Sequence, residues 1–131
     1  MGVFNDIQNA LNAKLNSISG IPAIYWPNDQ KEPINGTSFV RPTLMPASSE
    51  LYTLNDSNYH SGIYQIDIFV PLKTGTSVAM LIADKIREAF NKQSFSSNTT
   101  LVHTQQISIS LGEREEAWWH CYVEVNYLCV A

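Results

Sequence analysis

The chain has 131 residues, of which 44% are hydrophobic and 15% charged, and its formal net charge at pH 7 is −4. This length fits one domain over residues 1–131, and the composition is that of a globular rather than a disordered chain. The acidic balance argues against nucleic-acid binding, no apolar run approaches the ~20 residues that cross a membrane, and the N-terminus lacks a secretion signal. We therefore expect a soluble protein, made in the cytosol, whose low charge leaves part of its surface to a partner.

Apolar residues recur at helical spacing in two segments of the chain. The first segment contains Phe4, Ile7, Leu11, Leu15 and Ile18. The second runs from about Thr76 to Lys92 and contains Val78, Leu81, Ile82, Ile86, Ala89 and Phe90. Spacings of three and four place each set on one side of a helix, so the sequence predicts two amphipathic helices.

Extended segments lie between and after these helices. Residues 38–45 read as a strand, and Pro42 within them argues for an edge position or a bulge. Residues 62–70 alternate between two faces, and residues 107–111 and 119–129 alternate on either side of a charged turn. The order predicts an α+β domain with an antiparallel or mixed sheet of about four to five strands and both helices packed on one face.

A polar segment from Pro46 to Ser61 reads as a long loop and carries four apolar residues. They are Leu51, Tyr52, Leu54 and Tyr59. Large apolar side chains often anchor interfaces, so we predict that residues 48–61 contact a partner. The alternative is that these side chains fold back on the core of their own chain.

Two tryptophans and an outward carboxylate are further candidates for contact. Alternation places Trp119 on the core side of its strand and Trp118 on the opposite side, where it could cap a helix or meet a partner. Asp67 alternates outward from the central strand. It is either a solvent-facing residue or a carboxylate at a subunit contact.

The sequence contains no constellation of catalytic or metal-binding residues. Cys121 and Cys129 on one strand would lie roughly 26 Å apart, too far for a disulfide, and read as small buried hydrophobes. His120 and Cys121 point to opposite faces of a strand and cannot hold one ion together. No phosphate-binding loop, dinucleotide fingerprint or nucleophile elbow is present. We therefore predict no enzymatic activity, no catalytic residue, no metal and no cofactor.

Negative charge is concentrated near the C-terminus. Seven Lys or Arg and eight Asp or Glu precede Gln93, a net of −1, whereas one Arg and four Glu follow, a net of −3. Three of these carboxylates, Glu113, Glu115 and Glu116, lie in the predicted charged turn. A solvated hairpin turn is the plainest interpretation of this cluster.

The order of these features resembles a known family. After the first helix comes Ile24-Tyr25-Trp26-Pro27-Asn28, and the central strand reads Gly62-Ile63-Tyr64-Gln65-Ile66-Asp67-Ile68-Phe69-Val70-Pro71. A helix carrying Ala83-Asp84-Lys85-Ile86 and an aromatic-rich closing strand follow. Over nearly its whole length the chain resembles the tail terminator proteins of long-tailed bacteriophages, the family of the lambda minor tail protein U.

The resemblance implies a structural virion protein at the tail–head junction, assembled in the host cytoplasm. It implies a hexameric ring that caps the tail tube, ends addition of tube subunits and presents the surface that joins the head. The implied partners are other copies of the chain, the major tail tube protein and a head-completion or neck protein. DNA would pass through the lumen without specific binding, and no membrane would be involved.

In such a ring, carboxylates facing the lumen would repel the DNA backbone and keep its passage free. We therefore predict that Glu113, Glu115 and Glu116 line or rim the channel, and that residues 48–61 contact the neighbouring subunit or the tail tube. Two other interpretations stay open from the residues alone. One is another head–tail connector, such as a head-completion subunit, and the other is a dimeric small-molecule-binding α+β module.

Overall fold

Two helices and seven strands form the part of the chain that the computed structural model describes. That part comprises residues 3–27, 37–51, 58–72, 76–97, 100–110, 112–115 and 118–130. The helices are α1 (Val3–Asn16) and α2 (Thr76–Phe90). The strands are β1 (Ala23–Ile24), β2 (Phe39–Leu51), β3 (Asn58–Pro71), β4 (Ser94–Ser97), β5 (Thr100–Ile109), β6 (Glu113–Glu115) and β7 (Trp118–Val130).

All seven strands belong to one mixed sheet. Its order is β1-β2-β3-β7-β5-β4, and β6 also pairs with β7. Only the β1–β2 pair is parallel; the others are antiparallel. The expectation of about four to five strands is therefore wrong. The additional strands β4 and β6 were interpreted as a polar loop and a charged turn because their serines and glutamates show no apolar alternation.

Both helices pack on the same face of this sheet. The buried core is continuous from α1 through the sheet to α2. It includes Ile7, Leu11, Leu15, Ile66, Ile68, Val70, Ala79, Ile82, Ala83, Ile86, Phe90, Cys121, Val123 and Val125. The predicted apolar stripe of α2 is wrong at two positions, since Val78 and Leu81 are exposed. Ala79 and Ala83 face the sheet instead, because their small side chains let the helix approach it closely.

The segment predicted as a long loop is mostly a hairpin. β2 continues to Leu51 and β3 begins at Asn58, and these two residues pair with each other. Tyr59 also lies within β3, opposite Val130 of β7. Tyr52 and Leu54 lie outside the described residues. The polar composition of this segment hid its extended conformation.

One side of β2 is an open sheet edge along most of its described length, because β1 pairs with only its first two residues. The carbonyl oxygen of Val40 accepts the N–H of Tyr25 on that side. The N–H and C=O groups of every second residue point to the same side of a strand, so those of Pro42, Leu44 and Pro46 point to the same side as the Val40 carbonyl, away from β3. Proline has no N–H, and Leu44 is the single donor among these three. Of the edge position and the bulge inferred from Pro42, the structure fits the first in part: β1 lies outside β2 in the sheet but pairs only with Phe39 and Val40.

Candidate interaction surface

The sheet face opposite the helices, here called the open face, is not covered by either helix. It consists of alternate residues of the central strands. They include Phe39 and Arg41 of β2, Gln65, Asp67 and Phe69 of β3, and Trp118, His120, Tyr122 and Glu124 of β7. Phe39 and Phe69 are buried, at 2% and 8% exposure, and most of the others are half-buried. Among these residues, mainly the polar side chains and Trp118 are therefore accessible to another molecule.

Four rings form an aromatic row across the open face. The ring centroids of Tyr25 and Phe39 lie 4.9 Å apart, those of Phe39 and Phe69 4.6 Å, and those of Phe69 and His120 4.4 Å. The corresponding planes differ by 22°, 11° and 5°. Adjacent strands lie about 4.8 Å apart, so rings on directly paired residues stack at the spacing of the sheet itself. The row runs across β2, β3 and β7.

The two neighbouring tryptophans lie on opposite sides of the sheet, as alternation predicts. Trp118 is half-buried on the open face, where it meets Phe39 edge-to-face at 5.1 Å. Trp119 packs against the core, and its buried Nε1 has no hydrogen-bond partner among the described residues. Gly112 lies against that indole with a φ of +96°. A Cβ at Gly112 would lie 2.6 Å from Nε1, so this turn requires glycine.

A polar cluster borders the aromatic row. His120 Nε2 donates to Asp67 Oδ1 at 2.8 Å, and Gln65 Nε2 donates to the same oxygen at 2.9 Å. The side chains of His120 and Asp67 are only 18% and 14% exposed. The guanidinium of Arg41 lies over the rings of Phe39 and Phe69, at 5.7 and 5.4 Å from their centroids. Asp67 is therefore a bonded, largely buried carboxylate rather than a simple solvent-facing residue.

A polar notch of about 310 Å³ lies at one end of the open face. Ser110, Gly112, Glu113, His120 and Tyr122 line it. The Ser110 hydroxyl accepts the backbone N–H of Tyr122 at 2.9 Å. Within the described part of the chain, no group of three His, Cys, Asp or Glu is placed to hold a metal ion. The notch is therefore a small polar depression beside the aromatic row.

The two cysteines are buried in β7 and are free thiols. Burial first, and then the nearby Asp67 carboxylate, raises the pKa of Cys121 to about 11. Burial and then Asp6 raise the pKa of Cys129. A thiol that stays protonated at neutral pH is a poor nucleophile and a poor metal ligand. The two residues contribute to the core, as the sequence predicts.

The residues predicted for contact lie at opposite ends of the sheet. Glu113 is exposed on β6, opposite His120, and Glu115 pairs with Trp118. Leu51 and Tyr59 lie at the far end of the β2–β3 hairpin. Glu116, Tyr52 and Leu54 fall outside the described residues. The structure therefore brings Glu113 and Trp118 to one end of the sheet and does not bring the hairpin residues to them.

The described residues leave a second surface uncovered, here called the α2 groove, which the sequence did not predict. It has a volume of about 520 Å³ and lies between α2 and the segments that follow α1 and precede β2. Its lining residues are Gly20, Ile21, Pro22, Ser38, Val78, Leu81, Ile82 and Lys85. Val78 and Leu81 were assigned to the core by spacing alone. Neither helix of the described chain is long and apolar enough to span a bilayer.

Similarity to known proteins connects this architecture with a function. One solved structure superimposes with a TM-score of 0.72 over 94% of this chain and 92% of its own; at 18% identity the likeness concerns the fold alone. No curated protein matches the chain in sequence. Residues 6–127 match the family model described as phage tail terminator protein. A match that spans almost the whole sheet and both helices means that the chain belongs to the phage tail terminator family, a family of structural components of the virion tail.

Proposed function

We propose that this chain forms a hexameric ring that caps the tail tube, ends its polymerisation and presents the surface to which the head is joined. The observation that carries the proposal is the family match over residues 6–127. The partners are neighbouring copies, the major tail tube protein and a head-completion or neck protein. Assembly takes place in the host cytoplasm, and the role is structural rather than catalytic.

Two surfaces of different chemistry support a ring. The open face carries aromatic and charged groups, whereas the α2 groove is mainly apolar. A closed ring of identical subunits is built from head-to-tail contacts, and each contact joins two different patches of the same chain. A subunit with two unlike uncovered surfaces meets that requirement, whereas a two-fold dimer needs only one self-complementary patch.

The charge of the open face supports a place beside the DNA channel. Among the side chains that the structure describes on this face, Asp67, Glu113 and Glu124 contribute three negative charges and Arg41 one positive charge, a net of −2. Basic groups would hold phosphates, whereas acidic groups repel them. We propose that Glu113, with Glu115 and Glu116, rims a channel through which DNA passes without specific binding.

The capping role is tested by assembling tail tubes from their own subunit with and without this protein. We expect shorter tubes, with this chain bound at one end, because a cap blocks the surface to which the next subunit adds. Electron microscopy gives the length distribution, and mass measurement in solution gives the number of copies. An unchanged length distribution at excess protein contradicts capping, and a dimer at all concentrations contradicts the ring.

The channel role needs a separate charge test. Changing Glu113, Glu115 and Glu116 together to Lys should create DNA affinity at low salt in the assembled protein. The matched variant with Gln at all three positions removes the negative charge without adding a positive one, and we expect it to bind DNA much more weakly. Equal DNA binding by the Lys variant and the natural chain would show that these positions lie away from the channel.

A further inference from the structure

Two large apolar side chains of α2 are accessible in the α2 groove. Leu81 is 61% exposed and Val78 is 38% exposed, although the same helix buries five other residues completely or nearly so. Ile21 and Pro22 extend this apolar surface inside the groove. Large apolar side chains that line a concave surface together usually mark a contact site.

The groove carries one positive charge and no negative charge among its described lining residues. The charge belongs to Lys85, whose ammonium donates to the carbonyl oxygen of Gly20 at 3.0 Å and is thereby held at the groove. None of these lining residues is an aspartate or a glutamate. A surface that matches the groove is therefore apolar and has a carboxylate beside its apolar part.

The open face has such an apolar part at the end away from the aromatic row. This part, here called the aliphatic patch, consists of Met45 of β2, Ile63 of β3, Leu128 of β7 and Leu101 of β5. Met45 is 38% exposed and Leu101 is 44% exposed, and the other two residues are half-buried. These side chains are accessible to another molecule.

The strand register makes the four residues of the aliphatic patch neighbours. Met45 pairs directly with Ile63. Ile63 pairs with Asn126, which makes Leu128 its diagonal neighbour. Leu101 is in turn a diagonal neighbour of Leu128. Diagonal residues lie about 7–8 Å apart, within reach of long side chains, so the four form one patch rather than apolar residues scattered singly.

One carboxylate borders the aliphatic patch. Glu124 pairs with Gln65, two residues along β3 from Ile63, and its side chain is half-buried. Strands β2, β3, β5 and β7 contain a single Lys or Arg, which is Arg41 at the aromatic row. The patch therefore combines apolar side chains with a negative charge and has no Lys or Arg beside it, which is the reverse of the charge at the groove.

The groove and the aliphatic patch of one copy cannot meet each other. The groove is formed by α2 and lies on the helix side of the sheet, whereas the patch lies on the open face. They are also separated along β2, since Ser38 of the groove and Met45 of the patch are roughly 23 Å apart in an extended chain. Their contact requires two copies, and it joins two different patches of the same chain.

We propose that the aliphatic patch of one copy docks onto the α2 groove of the next copy. In this contact Met45 and Ile63 lie against Leu81. Glu124 faces Lys85 beside them. The contact repeats from copy to copy, which is the arrangement that closes into a ring. This inference rests on the proposed ring and specifies how its subunits are joined.

Two variants break the contact from its two sides. Leu81→Arg places a charge in the groove, and Met45→Arg places one in the aliphatic patch. Both side chains are exposed, at 61% and 38%, so the substitutions should leave the fold intact. Each variant alone should be a folded monomer of 14.7 kDa under conditions in which the natural chain assembles. Leu81→Met and Met45→Leu keep the apolar character and should assemble like the natural chain.

Mixing the two Arg variants gives the decisive measurement. The groove variant still has an intact aliphatic patch, and the patch variant still has an intact groove, so one contact remains possible. We expect a one-to-one complex of about 29 kDa, twice the 14.7 kDa of the chain, that does not grow further. Light scattering combined with native mass spectrometry measures its mass, and circular dichroism checks that both variants are folded.

A charge reversal tests the polar pair independently of the apolar contact. Lys85→Glu or Glu124→Lys alone places like charges against each other and should raise the concentration needed for half-assembly by about tenfold or more. Both changes in one chain restore opposite charges at every contact and should restore assembly. Glu113→Lys changes a carboxylate at the other end of the open face and should assemble like the natural chain. If the doubly changed chain does not recover, Glu124 does not face Lys85 and the proposed docking is wrong.

Other outcomes separate the contact from the capping role. If either Arg variant still forms the natural assembly, or if their mixture stays monomeric, the proposed contact is wrong even where the natural chain forms rings. If Leu81→Arg forms the natural assembly but no longer shortens tubes, the groove meets the tail tube protein instead. If the one-to-one complex forms but the natural assembly leaves tube lengths unchanged, the contact stands and the capping role is wrong. A natural chain that stays monomeric, both free and at tube ends, would overturn the ring and the contact together.

Discussion

Two buried tyrosines of the core differ in one respect that permits a sharp comparison of stability. Tyr64 of β3 and Tyr127 of β7 are each only 1% exposed. The Tyr64 hydroxyl donates to Asn12 Oδ1 at 2.5 Å, whereas the Tyr127 hydroxyl has no hydrogen-bond partner among the described residues. Tyr127 lies opposite Gly62, and a Cβ at that glycine would lie 2.5 Å from the hydroxyl oxygen. Burial raises the pKa of both phenols, so both are neutral at pH 7.

Replacing each tyrosine with phenylalanine removes one oxygen and should change stability in opposite directions. An unpaired buried hydroxyl costs about 1–3 kcal/mol, so Tyr127→Phe should raise the free energy of unfolding by about 1–2 kcal/mol. Tyr64→Phe removes a hydrogen bond and should lower it by about 1 kcal/mol. With an unfolding entropy of about 2.1 cal/mol/K per residue, each 1 kcal/mol corresponds to a change of about 4 °C in Tm.

Thermal and urea unfolding of the two variants, followed by circular dichroism, measure these changes directly. The variants are matched in chemistry, in burial and in position on adjacent central strands. A loss of stability in Tyr127→Phe equal to that in Tyr64→Phe would show that the Tyr127 hydroxyl has a partner. The reasoning from an unpaired group would then be wrong.

Three further predictions concern the other perturbed groups. Burial, and then Asp67, raise the pKa of Cys121 from 9.0 to about 11, so its thiol ionises at lower pH in the unfolded chain than in the folded one. The free energy of unfolding should therefore fall as pH rises from 9 to 11, and it should fall less steeply in Cys121→Ala. Urea unfolding across that pH range measures the difference. Gly112→Ala places a Cβ at a φ of +96° and against the Trp119 indole, so it should lower the free energy of unfolding by about 1–2 kcal/mol and shift the tryptophan fluorescence. Unchanged emission would contradict the contact with Trp119. Asp67→Ala removes the acceptor of His120 and should lower Tm by more than Asp67→Asn, which keeps an oxygen; equal melting curves would show that the pair contributes nothing.

The elements that were readable from sequence are those with one face in the core. Alternation in β3 and β7 follows directly from burial, since Ile66, Ile68, Val123 and Val125 all turn toward the helices. The same parity placed Trp118 and Trp119 on their correct sides. Local pattern was sufficient here because each residue's neighbours at i ± 2 share its environment.

The elements that were missed are short and carry little apolar sequence; Phe95 of β4, which packs against the core, is the one large apolar residue in them. β4 (Ser94–Ser97) is held by backbone pairing with β5, and β6 (Glu113–Glu115) by pairing with β7. A strand of three or four residues with at most one apolar side chain shows no alternation that a sequence pattern could reveal. The sheet was therefore underestimated at its margins and in the outer half of the β2–β3 hairpin.

The candidate surfaces depend on pairings between distant segments. Phe39 and Phe69 stack because β2 and β3 place them opposite each other, and no local pattern fixes that register. Leu81 fits the helical spacing of a core residue and is exposed because Ala79 and Ala83 set which side of α2 meets the sheet. The choice between two apolar sides of a helix is made by packing rather than by periodicity.

The two prolines of β2, Pro42 and Pro46, restrict how another strand can add to this side of the sheet. A strand that tried to extend the sheet there would find outward carbonyl oxygens at Pro42, Leu44 and Pro46 but only one N–H among them. Continuous growth of a sheet from molecule to molecule needs donors and acceptors in alternation, and prolines at an edge interrupt that ladder. Pro42 and Pro46 therefore make this stretch of β2 a poor template for an added strand. A partner that meets this stretch of β2 has to be recognised mainly by side chains, which, unlike the backbone, differ from one protein to the next.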